Sequence, residues 1–193
     1  MKFHDIEQNT DEWLELRKGK FTASTFKDLM SAESTAGYKN AIADVVYERI
    51  TGNRIESYTN EWMQRGHDLE PQARLYYELN YSDVDGGGFF CDEWVGASPD
   101  GLVGKDGLVE IKCPKHTTHI QYLMKSKLPS AYKWQIQGQL YVTDRKWCDF
   151  VSYHPKLPAF YIRVERDEEI EAIGVVLDKA KKQAQEIIKK LGK

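Results

Sequence analysis

Two acidic residues and one lysine near the middle of the chain are of the types that phosphodiester hydrolysis uses. Asp100 is followed by Glu110 and, two residues later, by Lys112. Carboxylate oxygens are the ligands that Mg²⁺ and Mn²⁺ prefer, and such an ion binds a phosphate oxygen and lowers the pKa of a water. A nearby ammonium group can orient that water or offset developing charge. The trio is therefore a candidate nuclease apparatus, and a solvated hairpin with three surface charges is the structural alternative.

A predicted hairpin would bring these side chains together. The Asp-Gly pair at 106–107 favours a tight turn between two apolar runs. If the turn centres near Lys105, Asp100 lies opposite Glu110, with Cβ atoms roughly 4.5 to 5.5 Å apart. Like charges so placed repel, so we expect a raised pKa, a cation between them, or a turn that moves Asp100 out of the ladder. Strand alternation places Glu110 and Lys112 on one face and their apolar neighbours toward the core.

Length and composition favour one globular domain over residues 1–193. The chain is 41% hydrophobic and 12% aromatic, which is enough for a sizeable core. No apolar run approaches the roughly 18 residues of a membrane span, and the first residues lack the apolar region of a signal peptide. Three widely spaced cysteines disfavour a disulfide framework, so we expect a reducing compartment, the cytoplasm.

Charge is unevenly distributed along the chain, although the net charge is only −3. Residues 48–111 contain 13 Asp or Glu against 5 Lys or Arg, whereas residues 112–163 contain 9 Lys or Arg against 2 Asp. Such a division suits a protein that gathers metal cations beside a phosphate backbone. Ordinary scatter of surface charge is the alternative that this count leaves open.

Hydrophobic periodicity predicts helices, then a β-rich middle, then helices and strands. In the first part of the chain we predict short helices over 13–16 and 21–30, separated at Gly19 and with Thr22 or Ser24 as a cap, a helix over 42–50 ended by Gly52, and a helix over 62–79 interrupted near Gly66 and Pro71. A meander of strands over 89–112 follows. The last part contains a helical stretch over 117–143, strands over 146–153 and 160–164, and a charged helix over 167–191. Residues 134–140 also alternate like a strand, and we expect a helix there. This order predicts an α/β (α+β) fold.

Several motifs resemble one nuclease family. Pro99-Asp100, followed by Glu110-Ile111-Lys112, matches the Pro-Asp, spacer, Asp/Glu-x-Lys pattern of the restriction-endonuclease-like superfamily. The neighbouring motifs are WLELRKGKFTAS at 13–24, SPDG at 98–101, EIKCP at 110–114, and SAY and QIQ within 130–137. In this order they resemble the phage lambda-type alkaline exonucleases over nearly the whole chain. The resemblance implies a restriction-endonuclease-like core, with a central mixed β-sheet flanked by helices and further N-terminal helices.

The resemblance also implies a role for each catalytic and metal-binding residue. It makes Asp100 and Glu110 metal carboxylates, the main-chain carbonyl of Ile111 and the helix-borne Glu70 further ligands, Lys112 the catalytic lysine, and Gln135 a neighbour of the attacking water. Two Mg²⁺ ions per site follow, with Mn²⁺ as a substitute. From the residues alone, Glu70 could equally be an exposed carboxylate favoured by a helix N-terminus, and Gln135 a hydrogen-bonded bystander.

The resemblance further implies a pocket for a terminal 5′-phosphate, formed by Arg17, Ser24 and Ser98. An arginine fork and hydroxyl donors suit a phosphate dianion, although Arg17 could be a helix-end surface charge. Where the family has a further arginine, this chain has Thr118, with Lys115, His116 and His119 as neighbours that could substitute. Met63 matches an apolar wedge that splits the duplex end, or is a core residue. The spacing of Cys113, His116 and His119 belongs to no common zinc site.

The resemblance implies a metal-dependent 5′-to-3′ exonuclease of linear double-stranded DNA. It would release mononucleotides and leave a 3′ single-stranded overhang for homologous recombination. The implied partners are DNA ends, a single-strand annealing protein and two further copies of the chain in a ring-shaped homotrimer, in the cytoplasm of a phage-bearing bacterial host. The alternatives are an endonuclease or Cas4-like nuclease of the same superfamily, and a non-catalytic DNA-binding module.

Overall fold

The computed structural model describes residues 1–55 and 61–192, except for the side chain of Met63. The helices are α1 Asp11–Arg17, α2 Phe26–Leu29, α3 Ala36–Thr51, α4 Glu61–Asn80, α5 His116–Lys125, α6 Lys133–Thr143 and α7 Ile170–Lys190, with short 3₁₀ turns at Ala23–Thr25 and Ser130–Tyr132. The strands are β1 Lys2–His4, β2 Phe21–Thr22, β3 Asp85–Gly86, β4 Phe89–Cys91, β5 Val95–Ala97, β6 Gly101–Val103, β7 Gly107–Lys112, β8 Trp147–Ser152 and β9 Phe160–Glu165. Within these residues, no helix is long and apolar enough to cross a membrane.

A mixed five-stranded sheet forms the centre of the fold, in the order β3-β6-β7-β8-β9. Strands β7 and β8 are parallel, and the other neighbours are antiparallel. The connection between β7 and β8 contains α5 and α6, because parallel neighbours need a crossover of this kind. A smaller sheet, in the order β1-β4-β5-β2, lies beside it. The predicted mixed α/β fold with a central sheet flanked by helices is thereby confirmed.

Both faces of the central sheet are covered by apolar side chains. On one face, Leu108 and Phe150 belong to the main core, together with residues of α2, α3, α6 and α7. On the other face, Val109 and Ile111 pack with Tyr77 of α4. Strand β7 is therefore buried on both sides, and any polar residue along it needs partners inside the protein.

Three sequence predictions about the elements are wrong in detail. Phe21 was expected in a helix but lies in β2, where it pairs with Val95. The helical stretch over 117–143 is divided, because Ser126 ends α5 in the left-handed conformation (φ 48°) and Pro129 follows. Helix α4 continues through Pro71, although this proline lacks the N–H that would bond the carbonyl of His67.

The predicted meander over 89–112 is also wrong in its connectivity. Strands β4 and β5 pair with each other in the smaller sheet, whereas β6 and β7 form a hairpin in the central sheet. Other predictions are confirmed: α3 ends at Gly52, which has a left-handed φ of 71°, and residues 134–140 are helical. The last helix covers Ile170–Lys190 within the predicted range.

Candidate active site

The β6–β7 hairpin has the predicted register. Val103 pairs with Gly107, and Gly101 pairs with Val109, so the turn is centred on Lys105. Continuing this register by one residue places Asp100 opposite Glu110, although Asp100 itself precedes β6 and lies outside the ladder. The hairpin therefore brings the two acidic residues to one place from sequence positions ten apart.

The carboxylate of Asp100 lies within reach of the end of β7. Its Oδ2 accepts a hydrogen bond from the backbone N–H of Ile111 at 2.6 Å. The Nζ of Lys112 contacts Oε1 of Glu110 and lies 3.9 Å from Oδ2 of Asp100. All three expected remedies for two facing carboxylates are present: Asp100 lies outside the ladder, the Lys112 ammonium contacts both carboxylates, and the pKa of Asp100 is raised.

Glu110 is enclosed by the protein. It is 0% exposed, and the side chain of Asp100 is 14% exposed, so the solvated-hairpin alternative is wrong. Helix α6 supplies the donors for Glu110: the side-chain amide of Gln135 donates to Oε1, and that of Gln139 donates to Oε2 at 2.7 Å. Both carboxylate oxygens are thus fixed by hydrogen bonds from one helix.

Burial and neighbouring charges shift the pKa values of this cluster. Desolvation and the charge of Glu110 raise the pKa of Asp100 well above its ordinary value, and Lys112 offsets part of this effect. Burial by itself lowers the pKa of Lys112, but the carboxylates of Glu110 and Asp100 outweigh burial and raise it. Two carboxylates thus compete for one ammonium group, and a further cation beside them would favour the ionised form of Asp100.

The donors at this position suit a hard divalent cation. Two buried carboxylates converge, Lys112 is the cation that contacts them, and oxygen ligands are those that Mg²⁺ prefers. Over residues 1–55 and 61–192, however, no group of three or more His, Cys, Asp or Glu side chains could hold a metal. A metal ion here would thus take its remaining ligands from main-chain oxygen, such as the Ile111 carbonyl, or from water.

Glu70 lies on α4, across a cleft from this cluster. The cleft has a volume of about 590 Å³ and is lined by Glu70 and Asp100, together with His67 and Arg74. The charge of Glu70 contributes to the raised pKa of Asp100. The structure thus places Glu70 on the same cleft without joining it to a three-carboxylate cluster.

The residues of the predicted phosphate pocket are connected through two further side chains. The guanidinium of Arg17 lies over the ring of Trp13 at 4.2 Å and donates to Oγ1 of Thr22 at 3.4 Å. The indole N–H of Trp13 donates to Oγ of Ser98 at 2.8 Å, and Thr22 and Ser24 share a hydrogen bond of 3.1 Å. Thr22 occupies the predicted cap position but makes no capping bond, because its hydroxyl is used here.

Burial is the main cause of the shifted pKa of Arg17. It lowers the pKa of the guanidinium to about 10, and Glu48 offsets part of the effect. Arg17 therefore differs from an ordinary surface charge at a helix end. The guanidinium lines a cavity of about 400 Å³ together with Trp13 and Thr22, a position from which it could meet an anion.

Of the four residues considered for the fourth phosphate contact, one is fully buried, one is half-buried and two are exposed. His119 is 0% exposed, and its two ring nitrogens bond Ser152 at 2.7 Å and the carbonyl of Pro158 at 2.9 Å. It is therefore available neither for phosphate nor for the zinc alternative. Lys115 and His116 are exposed at the start of α5, and Thr118 is half-buried. The side chain of Met63, the predicted wedge, lies outside the described part of the chain.

Sequence reasoning missed three residues that organise this region. Gln139 is one helical turn after Gln135, and this i, i+4 spacing on one helix face was a usable signal. Trp13 connects Arg17 with Ser98, and nothing in the local sequence indicates this contact. Arg65 of α4 donates to the carbonyls of Cys113 and Pro114 at 3.3 Å each, so it holds the segment that follows β7.

Comparison with known proteins identifies the family. The model of the YqaJ-like viral recombinase domain matches residues 12–146. The alkaline exonuclease LHK-Exo of Laribacter hongkongensis is 39% identical, with a TM-score of 0.87 over 94% of this chain and 96% of that one. The chain belongs to the YqaJ-like viral recombinase family. The predicted resemblance to lambda-type alkaline exonucleases is confirmed.

Three further matches to this YqaJ-like protein range from an equal to a much lower sequence identity. A second LHK-Exo structure, a complex with dAMP, matches equally well. A phage-related exonuclease of Haemophilus somnus 129PT shares the fold, with a TM-score of 0.73 and 18% identity over 92% of this chain and 98% of that one. The uncharacterized protein R354 of Acanthamoeba polyphaga mimivirus is 26% identical in an alignment of 169 positions that covers 78% of this chain and 30% of that protein. Membership of the family supports a nuclease role.

Proposed function

We propose that the protein is a metal-dependent 5′-to-3′ exonuclease that digests linear double-stranded DNA to mononucleotides. The remaining 3′ single strand would serve homologous recombination through a single-strand annealing protein, in the cytoplasm of a bacterial host. The observation that carries this proposal is the convergence of Asp100, Glu110 and Lys112 at one end of a buried hairpin, with Glu110 held by two glutamines. The family relation, and the dAMP complex of LHK-Exo, support a nucleotide-releasing reaction.

The ligands of the metal would be oxygen atoms of four residues. Asp100 and Glu110 would bind directly, with the main-chain carbonyl of Ile111 and the carboxylate of Glu70 completing a site for two Mg²⁺ ions, or Mn²⁺ in their place. When bound, such ions lower the pKa of the attacking water and stabilise the leaving oxygen.

The other residues would orient the reactants. Lys112 has three N–H donors and contacts both carboxylates, so its ammonium can donate to the water or to a phosphate oxygen while offsetting charge. Gln135 keeps Oε1 of Glu110 in place. Arg17, Ser24 and Ser98 would bind the terminal 5′-phosphate and so align the next phosphodiester bond for cleavage.

The test compares linear duplexes with and without a 5′-phosphate, digested by the wild type and by Lys112→Ala. We expect Mg²⁺-dependent release of mononucleotides, faster from phosphorylated ends, and a loss of about 10²- to 10⁴-fold in kcat for Lys112→Ala at unchanged Kd for DNA ends. Lys146→Ala is the control, because this lysine pairs with Asp106 on the surface and is 71% exposed. Undiminished turnover by Lys112→Ala, or no nucleotide release by the wild type, would reject the proposal.

A further inference from the structure

Gln139 is a buried glutamine that the proposed mechanism leaves without a role. It lies on α6 and is 1% exposed. Its side-chain nitrogen donates to Oε2 of Glu110 at 2.7 Å and also lies 3.4 Å from the carbonyl oxygen of Ser98. One amide group therefore contacts a candidate metal carboxylate and the segment that leads into Asp100.

The oxygen of the same amide has no partner. Among the described residues, Oε1 of Gln139 is the buried side-chain nitrogen or oxygen for which no hydrogen bond is found. A buried polar atom without a partner has lost its hydrogen bonds to water and gained none in the protein, so this amide oxygen is unfavourable for stability. A polar group kept at such a cost beside a reactive cluster indicates a role in that cluster.

The contacts of Glu110 indicate what this role is. Its Oε1 faces Lys112 and Gln135, and its Oε2 faces Gln139. Without the Gln139 donor, the carboxylate could rotate about its last side-chain bond, and Oε2 would be buried with one donor fewer. Hydrogen bonds of this kind orient metal ligands in many sites, and removing one typically lowers metal affinity or activity about 10- to 100-fold.

We propose that Gln139 is a positioning residue that fixes the carboxylate of Glu110 and ties it to the Ser98 main chain. In this way Glu110, which lies on β7, and Asp100, which precedes β6, keep one relative orientation. The inference rests on the proposed function, since it assigns Glu110 to the metal site. It concerns the chemical step rather than phosphate recognition, because the hydroxyl of Ser98 is held separately by Trp13.

The experiment uses Gln139→Leu, which removes the amide and keeps the approximate volume. We expect kcat to fall about 10- to 100-fold with KM for linear duplex ends unchanged, and Mn²⁺ binding by the free protein, measured by calorimetry, to weaken by a similar factor. The ratio of rates on 5′-phosphorylated and 5′-hydroxyl ends should stay at its wild-type value.

Gln137→Leu is the matched control on the same helix. Gln137 is 2% exposed, donates to the carbonyl of Glu165 at 2.8 Å and accepts from the N–H of Asp167 at 2.9 Å. Its removal should cost stability, measured by urea unfolding, and leave kcat and Mn²⁺ affinity unchanged. If Gln139→Leu does not fold, as judged by circular dichroism, Gln139→Met serves instead, because it has the length of glutamine without the donor.

The outcomes separate this inference from the proposed function. Wild-type kcat and Mn²⁺ affinity in Gln139→Leu would overturn it, and so would equal losses in Gln139→Leu and Gln137→Leu, which would indicate a general effect on α6. If the wild type itself releases no nucleotides and binds no Mn²⁺, the proposed function fails first.

Discussion

At the residue scale, the contacts of Trp13 explain how a phosphate pocket could be prepared before DNA binds. An indole N–H can only donate, so the Ser98 hydroxyl accepts with a lone pair and its own proton is free to donate to a phosphate oxygen. The same ring carries the guanidinium of Arg17 on its face. One side chain thereby orients two of the three predicted phosphate ligands.

Trp13→Phe keeps an aromatic face for Arg17 and removes the donor to Ser98. We expect the preference for 5′-phosphorylated over 5′-hydroxyl duplex ends to fall about tenfold, because a hydrogen bond to a charged group contributes about 1.5–3 kcal/mol. The measurement is the ratio of kcat/KM values on the two substrates.

Trp94→Phe is the control for this substitution. Trp94 is also buried and also carries an arginine, Arg49, over its ring at 3.4 Å, but no described contact joins it to Arg17 or Ser98. An equal loss of preference in both variants would show that the Trp13 N–H has no specific role.

At the scale of elements, helix α4 is fastened to the central sheet by a buried polar cluster. The hydroxyl of Tyr77 donates to Oδ2 of Asp149 at 2.6 Å. Asp149 also accepts hydrogen bonds from the hydroxyl of Tyr161 and from Nε and Nη2 of Arg163. Burial, and then the neighbouring carboxylate, raise the pKa of Tyr77 above its ordinary value. This cluster fixes the helix that places Glu70 on the cleft and Arg65 against the carbonyls of Cys113 and Pro114.

Tyr77→Phe should lower the free energy of unfolding by about 1–3 kcal/mol, because the buried carboxylate of Asp149 loses one donor. Urea unfolding at constant pH measures this change, with Tyr47→Phe as the control, since Tyr47 is 47% exposed. A free energy equal to that of Tyr47→Phe would show that the cluster does not anchor α4.

At the scale of the whole molecule, the distribution of charge agrees with a DNA-binding role. Of the two acidic residues within 112–163, Asp149 is buried and paired with Arg163, and Asp144 pairs with Arg166. Four of its nine basic side chains pair with carboxylates, namely Lys112, Lys133, Lys146 and Arg163. Among the described residues, no ion pair is found for the other five, which supports the proposed partner, a DNA end.

An exonuclease that requires a DNA end should leave covalently closed circular duplex intact while it digests the same DNA after linearisation. Rapid nicking of the circle would instead favour the endonuclease alternative, and no digestion of either form would favour a non-catalytic DNA-binding module.

Light scattering after size-exclusion chromatography tests the proposed homotrimer. We expect a mass three times that of the 22.3 kDa chain, and the mass of a monomer would reject the homotrimer.

The sequence by itself determined the features that depend on neighbouring residues. The turn centred on Lys105, with the left-handed Gly104 before it, fixed the hairpin register, and the register brought Asp100 to Glu110. Amphipathic spacing predicted α3 and α7 for the same reason, since a helix face is set by residues three and four apart. The family pattern then added roles for residues that the local rules could not assign.

Tertiary structure decided the features that join distant segments. Phe21 lies in a strand because it pairs with Val95, and Trp13 donates a hydrogen bond to Ser98, which is 85 positions later in the chain. The sequence marks Gln139 only as a polar residue on a helix, and its contact with Glu110 depends on how α6 packs against β7. Such contacts depend on how whole elements pack, and packing is specified by the complete core rather than by any local spacing.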